Sequence, residues 1–112
     1  MRVRLERGPV LCERCELATA PLRRMKGLLG RTSLDPDEGI WIEPAGSIHM
    51  WFMRFPIDVV FAAADGRVVK VVHGIRPWRM AGARGARVAL ELSAGAAARC
   101  GVEPGDHLQL ER

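Results

Sequence analysis

The stretch Ser47-Ile-His-Met-Trp-Phe-Met-Arg-Phe-Pro-Ile-Asp-Val-Val-Phe-Ala62 contains two apolar runs that enclose three polar residues. Apolar runs of this kind are typical of a protein core, where a polar side chain needs a hydrogen-bond or ionic partner. Residues 47–55 present a largely apolar face on each side when read as a strand, which predicts a central strand covered on both faces. Pro56 predicts a break before a second strand. The first candidates for a functional site are the enclosed polar residues, His49, Arg54 and Asp58.

Turn signals on both sides of this stretch predict further short strands. Asp65-Gly66 separates the runs 57–64 and 67–73 and is a dipeptide typical of a two-residue hairpin. The remaining predicted strands cover residues 3–5, 10–18, 40–42, 87–92 and 107–111, and a helical turn covers 94–100. About eight short strands with close turns favour a mainly β fold, either a compact antiparallel β-sandwich or a partly closed barrel.

One helix is predicted near the N-terminus. Its first turn contains Pro21, and Gly30 is suited to end it. Apolar residues recur between these two at helical spacing, at Leu22, Met25, Leu28 and Leu29. The pattern indicates an amphipathic helix that packs on one side of the sheets.

Length and charge narrow the class of protein. We expect the 112 residues to form a single domain over residues 1–112. The net charge of +4 is spread along the chain with acidic residues interleaved, which disfavours nucleic acid and predicts no membrane partner. Residues 1–7 lack the apolar run of an export signal, and an odd number of cysteines, three, fits a reducing compartment. We therefore expect a cytoplasmic protein without a cofactor.

Several of these features occur together in a known family. Residues 52–61 follow its recurring pattern of an aromatic residue, a Met, a basic residue, Pro, a branched apolar residue, Asp and an apolar run ending in Phe. The other matching landmarks are Arg24, Gly27 to Arg31, Gly39 to Trp41, Asp65-Gly66, Leu90 to Leu92 with Gly95, and Gly105-Asp106. Over residues 18–106 the chain resembles the bacterial and archaeal domain of unknown function 192 family. The resemblance implies the same β-rich single domain and assigns no reaction.

Asp58 lies between two branched apolar residues, and a buried carboxylate must accept hydrogen bonds, pair with a cation or take up a proton. One interpretation is a general base or a ligand anchor. The other is a brace that fixes the backbone near Pro56 through N–H groups, Arg31 or Arg54. We favour the brace, because buried polar groups of this kind usually satisfy nearby backbone.

His49 shares a predicted strand face with Trp51 and Met53. It is either a proton carrier or metal ligand, or a core residue whose hydrogen bonds are satisfied. A pocket that holds both His49 and Asp58 would favour a small hydrolase or isomerase, because a carboxylate orients a neighbouring imidazole.

Glu91 is flanked by two leucines and has two interpretations. A structural polar cluster would pair it with Arg24 or Arg31, which lie seven residues apart and therefore on one face of the predicted helix. Acid–base hydrolysis by Asp58 and Glu91 would need both carboxylates within reach of one substrate. We favour the polar cluster.

Cys12 and Cys15 form a single Cys-x-x-Cys pair. In a predicted strand these two side chains point to opposite faces, and a structural zinc site usually needs two such pairs. The pair therefore favours neither redox chemistry nor a metal site.

Residues 74–85 form a long loop rich in Gly and Arg around Trp78. Its side chains would bind an anion or stack on a base, or Trp78 would cover an open end of the sheet. Weak binding of single-stranded nucleic acid through residues 74–87 is one hypothesis that follows from this loop.

The leading hypothesis is non-catalytic binding of a small anionic molecule or peptide at an open end of the β core. The residues expected at the floor and the lip of this site are His49, Arg54, Asp58, Arg76, Trp78 and Arg79. The chain has no phosphate loop, nucleophile elbow or zinc-protease helix, which counts against the common enzyme classes. We assign no metal ligand and no catalytic residue.

Overall fold

The structure is a computed structural model that describes residues 1–112. Ten strands and two short helices follow one another as β1 (Arg2–Leu5), β2 (Val10–Cys12), β3 (Arg14–Ala18), α1 (Pro21–Lys26), β4 (Glu38–Ile42), β5 (Ser47–His49), β6 (Ile57–Ala62), β7 (Val68–Ile75), β8 (Met80–Gly82), β9 (Val88–Ser93), α2 (Ala96–Cys100) and β10 (Leu108–Glu111). Neither helix is long and apolar enough to cross a membrane.

The strands form three separate sheets, of five strands (β3-β4-β9-β6-β7), three strands (β10-β1-β2) and two strands (β5-β8). All pairs are antiparallel except β3 and β4. These two are parallel because residues 19–37, which include α1, form the long crossover that such a pair needs. The mainly β prediction is confirmed, and a sandwich-like arrangement fits. The barrel alternative is not supported, since none of the three sheets closes on itself.

The five-stranded sheet separates two hydrophobic clusters. Cluster 1 includes Val60, Leu90 and Leu92, and cluster 2 includes Val59 and Ala89. Consecutive residues of β6 and β9 thus alternate between the clusters, as strand geometry requires, and both strands are buried along their whole length. A polar residue on either strand therefore faces one cluster or the other.

Residues 47–55 do not form the predicted central strand. β5 ends at His49, and the N–H of Met53 donates to the carbonyl of Met50 (3.2 Å) in a tight turn. β5 instead pairs with β8, which lies inside the segment predicted as a loop, with Ser47 opposite Gly82. The sequence does not predict this turn, because its two middle residues, Trp51 and Phe52, are apolar. Both side chains are nevertheless exposed.

α1 is shorter than predicted and is not amphipathic in its packing. It ends at Lys26, because Gly27 has φ 49° and ψ −123°, which is outside helical space. Leu22 and Met25 are 81% and 73% exposed, and no residue of the helix is buried. The apolar contact with cluster 2 is made by Leu28, which follows the end of the helix.

The predicted hairpin and C-terminal helical turn are present. The hairpin loop has three residues, 64–66, and not the predicted two, because the N–H of Ala63 donates to the carbonyl of Arg67 (2.9 Å). Asp65-Gly66 joins β6 to β7, and the N–H of Gly66 donates to the carbonyl of Ala63 (2.9 Å) with Gly66 at φ 91°. α2 lies within the predicted helical turn and is ended by Gly101 at φ 65°. Local turn chemistry decides both features.

Candidate functional site

A pocket of about 500 Å³ opens between α1 with the turn that follows it and the segment from Ile42 to His49. Its apolar wall includes Leu28, Leu29 and Met53. Its charged and titratable side chains are Arg24, Lys26, His49 and Glu91. They come from α1, β5 and β9, so the pocket exists only in the folded chain.

Glu91 lies at the back of this pocket. It is 6% exposed, and its carboxylate takes part in no hydrogen bond or ion pair with the protein. The chain passes close to it at Gly27, where a Cβ would lie 3.6 Å from Oε1 of Glu91. Burial raises the pKa of Glu91 to about 7, and the positive charge of Arg23 offsets only part of that effect. Near neutral pH the carboxyl group is therefore present in both protonation states.

Arg24 also faces the pocket with unused hydrogen-bonding capacity. Its Nη1 donates to the carbonyl of Pro44 (3.1 Å), whereas its Nε is buried and has no partner. The neighbouring Arg23 contrasts with it, because its guanidinium donates to the carbonyl of Gly27 (2.8 Å) and pairs with Glu16. Buried hydrogen-bond donors in native proteins nearly always have an acceptor. Arg24 therefore has hydrogen-bonding capacity that the protein itself does not use.

His49 lines the outer part of the pocket and is exposed. Its Nδ1 accepts the N–H of Trp51 (3.4 Å), and the two rings lie 4.8 Å apart between centroids. This contact leaves Nε2 free of the backbone. His49 is therefore accessible to a ligand and is not the core histidine that one interpretation required.

Asp58 lies on the other face of the five-stranded sheet. Its Oδ1 accepts the N–H of Gly74 (2.8 Å), and its Oδ2 accepts the N–H groups of Gly95 and Ala97 (3.0 Å each). The carboxylate thereby braces β7 against the start of α2. The donors are backbone N–H groups, as the brace interpretation expected, and not the side chains of Arg31 or Arg54.

The register of β6 and β9 keeps Asp58 away from the pocket. Asp58 is opposite Leu92 of cluster 1, and Glu91 is opposite Val59 of cluster 2. Cross-strand partners share a face, so the two carboxylates point in opposite directions. Asp58 consequently forms no acid–base pair with Glu91, and it shares neither a hydrogen bond nor the pocket with His49.

The other predicted site residues lie outside the pocket. Arg54, Arg76 and Arg79 are exposed, and their side chains make no ion pair. Trp78 is 60% exposed and packs edge-on against Phe52, with centroids 4.9 Å apart, so it does not cover an end of the sheet. Of the six predicted ligand-binding residues, only His49 lines the pocket with Arg24 and Glu91.

The predicted polar cluster does not form as an ion-pair network. Arg31 lies beyond the end of α1 and donates to Oε1 of Glu38 (2.9 Å). Arg24 and Glu91 line one pocket but are not joined by a salt bridge. Glu91, which lies between two leucines, was the signal for this site in the sequence. Its carboxyl group has no partner because of where α1 ends, and the sequence did not predict that position.

Cys12 and Cys15 both lie buried in cluster 1, which corrects the expectation that they point to opposite faces. The reason is a bend at Glu13 that divides the predicted strand into β2 and β3. The neighbouring thiol of Cys15 and burial together raise the pKa of Cys12. The pair is thus part of the core, with both thiols free.

Fold and site define a mainly β protein with a pocket that contains an unpartnered acid and an unsatisfied arginine. The sequence profile of DUF192 (Uncharacterized ACR, COG1430) matches residues 3–110, and the chain belongs to this family. The match extends the resemblance of residues 18–106 almost to both ends of the chain. No curated protein matches the chain.

Two solved structures are similar over nearly the whole chain. One is a protein of unknown function from Novosphingobium aromaticivorans DSM 12444, with a TM-score of 0.86 and 30% identity over 98% of this chain and 84% of that one. The other is described as a "putative transcription regulator" from Sinorhizobium meliloti 1021, with a TM-score of 0.79 and 33% identity over 96% of this chain and 91% of that one.

Proposed function

We propose that this protein binds a small anionic molecule in the pocket between α1 and β5. Arg24 meets the anionic group, and Glu91 forms a hydrogen bond with a second polar group of the same ligand. The observation that supports this proposal is the pairing, in one pocket, of a buried Nε without an acceptor and a buried carboxyl group without a partner.

The pocket suits a small molecule. Its volume of about 500 Å³ lies within the usual range for such sites, and its apolar wall would cover the ligand body. Arg24, Lys26 and His49 provide positive charge or hydrogen-bond donors. Glu91 donates a hydrogen bond when protonated and accepts one from an amine or hydroxyl group when ionised. A carboxylate or phosphate ester that also carries such a group is the ligand class that fits.

A thermal-shift screen of small carboxylates and phosphates tests this function, because a ligand of the folded state raises the melting temperature. A ligand at 100 times its Kd should raise it by more than about 5 °C. The shift should disappear in Arg24→Gln and persist in the matched control Arg31→Gln, whose side chain pairs with Glu38 outside the pocket. Equal shifts in the two variants, or no shift with any compound, would exclude the proposed site.

A second candidate function is proton transfer catalysed at this pocket. It is favoured by the place of Glu91, a buried carboxyl group without a partner that lines the pocket, and burial raises its pKa to about 7, which suits a general acid or base at neutral pH. Any compound that shifts melting should then be incubated with the protein and followed by mass spectrometry. Conversion by the wild type that stops in Glu91→Gln, with binding retained, would support catalysis over binding alone.

A further inference from the structure

Four large apolar side chains lie exposed at the end of the β5–β8 sheet: Trp51 (44%), Phe52 (71%), Trp78 (60%) and Met80 (66%). We call these four residues the aromatic tip. They lie next to one another: Trp78 packs on Phe52, Phe52 follows Trp51 in the chain, and Met80 pairs in register with His49, whose ring contacts Trp51. A contiguous exposed apolar surface of this kind usually marks an interaction site.

The backbone holds two of these rings outward in a disfavoured conformation. Phe52 has φ 66° and Trp78 has φ 69°, and they are the only residues other than glycine with positive φ. Bulky residues seldom adopt this region, since Cβ approaches the carbonyl oxygen. The N–H of Trp78 donates to the carbonyl of Met50 (2.8 Å), which fixes this geometry. Strain at non-glycine residues is commonly retained where it presents a functional side chain.

Unpaired positive charge surrounds the aromatic tip. Arg54, Arg76 and Arg79 lie within two residues of a tip residue, are exposed, and form no salt bridge. Elsewhere in the fold, the arginines that pair with carboxylates are Arg2, Arg4, Arg7, Arg14, Arg23 and Arg31. Residues 47–57 and 66–90 contain no Asp or Glu. The three arginines next to the tip therefore carry positive charge that no neighbouring carboxylate in these segments offsets.

We propose that the aromatic tip docks on an anionic lipid surface, with its rings at the headgroup boundary and the adjacent arginines against the lipid phosphates and carboxylates. This proposal departs from the expectation of no membrane partner, which rested on charge interleaved along the sequence. Tryptophan favours this boundary, because one part of the ring is apolar and the indole N–H stays hydrated. The charge complementarity of Arg54, Arg76 and Arg79 selects an anionic surface.

Two features favour lipid over a nucleic-acid strand. Phe52 and Trp78 pack edge-on against each other, and this contact covers part of the ring surface on which bases would stack. Met80 adds apolar area with no stacking capacity.

Vesicle co-sedimentation tests the proposal. The protein should bind vesicles of phosphatidylcholine with about 30% phosphatidylserine, bind pure phosphatidylcholine far less, and dissociate as salt rises from about 0.1 M to 1 M. Arg76→Gln with Arg79→Gln should weaken binding about 30-fold. The matched control is Arg67→Gln with Arg112→Gln, which removes two exposed arginines without ion pairs outside the tip and should keep most of the binding.

The apolar contribution needs variants that preserve the fold. Phe52→Gly with Trp78→Gly removes both rings and places glycine where φ is positive, so the melting temperature should be nearly unchanged. This variant should lose at least about tenfold in vesicle binding. The control Leu22→Ala with Met25→Ala removes two exposed apolar residues of α1 and should bind like the wild type.

Three results would overturn the proposal. The first is equal binding to neutral and anionic vesicles, and the second is equal loss in the tip variants and their controls. The third is no vesicle binding together with binding of a short single-stranded oligonucleotide, or of an acidic peptide, that requires the same arginines. Because the tip variants leave Arg24 and Glu91 intact, failure here leaves the proposed pocket function untouched.

Discussion

Replacing Glu91 by Gln should stabilise the protein above neutral pH and have little effect near pH 4. Burial raises the pKa of Glu91 to about 7 in the folded state, compared with its usual value of 4.5. The folded protein therefore binds the proton more tightly than the unfolded chain does. This favourable contribution is fully present below the unfolded pKa and is lost as the pH rises through the folded pKa. The side-chain amide of the Glu91→Gln variant stays neutral at every pH, so the variant avoids the loss.

The magnitude follows from the two pKa values. The difference between 4.5 and about 7 corresponds to about 3 kcal/mol of unfolding free energy at pH 8. Little of this is reduced by solvent, because Glu91 is 6% exposed. Near pH 4 the carboxyl group is protonated in both states, and the two proteins should differ by less than about 1 kcal/mol.

Urea unfolding of both proteins at several pH values between about 4 and 8 measures this difference. Comparing the two proteins cancels the other titrating groups, which are the same in both. Glu38→Gln provides a control of opposite sign, because the N–H of Asp35 and the guanidinium of Arg31 lower the pKa of Glu38. Stabilisation by Glu38 is present above the unfolded pKa and is lost as the pH falls. Parallel curves for the wild type and Glu91→Gln would refute the reasoning.

Two further substitutions test the local geometry, each by urea unfolding against the wild type. Asp58→Ala leaves three backbone N–H groups without their acceptor and should cost about 3–5 kcal/mol; a cost below about 1 kcal/mol would mean that the brace is dispensable. Gly27→Ala should cost about 1–3 kcal/mol, because φ 49° with ψ −123° is a conformation that only glycine adopts readily. An unchanged midpoint for that variant would show that the turn rearranges freely.

The sequence predicts the parts of this fold that depend on local chemistry. Asp65-Gly66 specifies its hairpin through turn geometry, and β6 and β9 are apolar runs long enough to be buried strands. The prediction for residues 47–55 failed because an apolar run looks the same whether its side chains face the core or solvent. Trp51 and Phe52 are exposed by a turn between Met50 and Met53, which contains no glycine, proline or asparagine to announce it.

The site shows the same division between local and long-range information. Asp58 and Glu91 were recognisable as acids in apolar strands, but their environments depend on the pairing of β6 with β9. That pairing offsets them by one position and so places them on opposite faces of the sheet. Asp58 meets three N–H donors from β7 and the start of α2, whereas Glu91 meets the turn after α1, which offers it no donor. Asp58 already accepts hydrogen bonds from the backbone, so its role is structural. An acid of the same strand pair that faces a pocket with no partner keeps its hydrogen-bonding capacity for a ligand, and this contrast is why the pocket, and not the brace, is the candidate functional site.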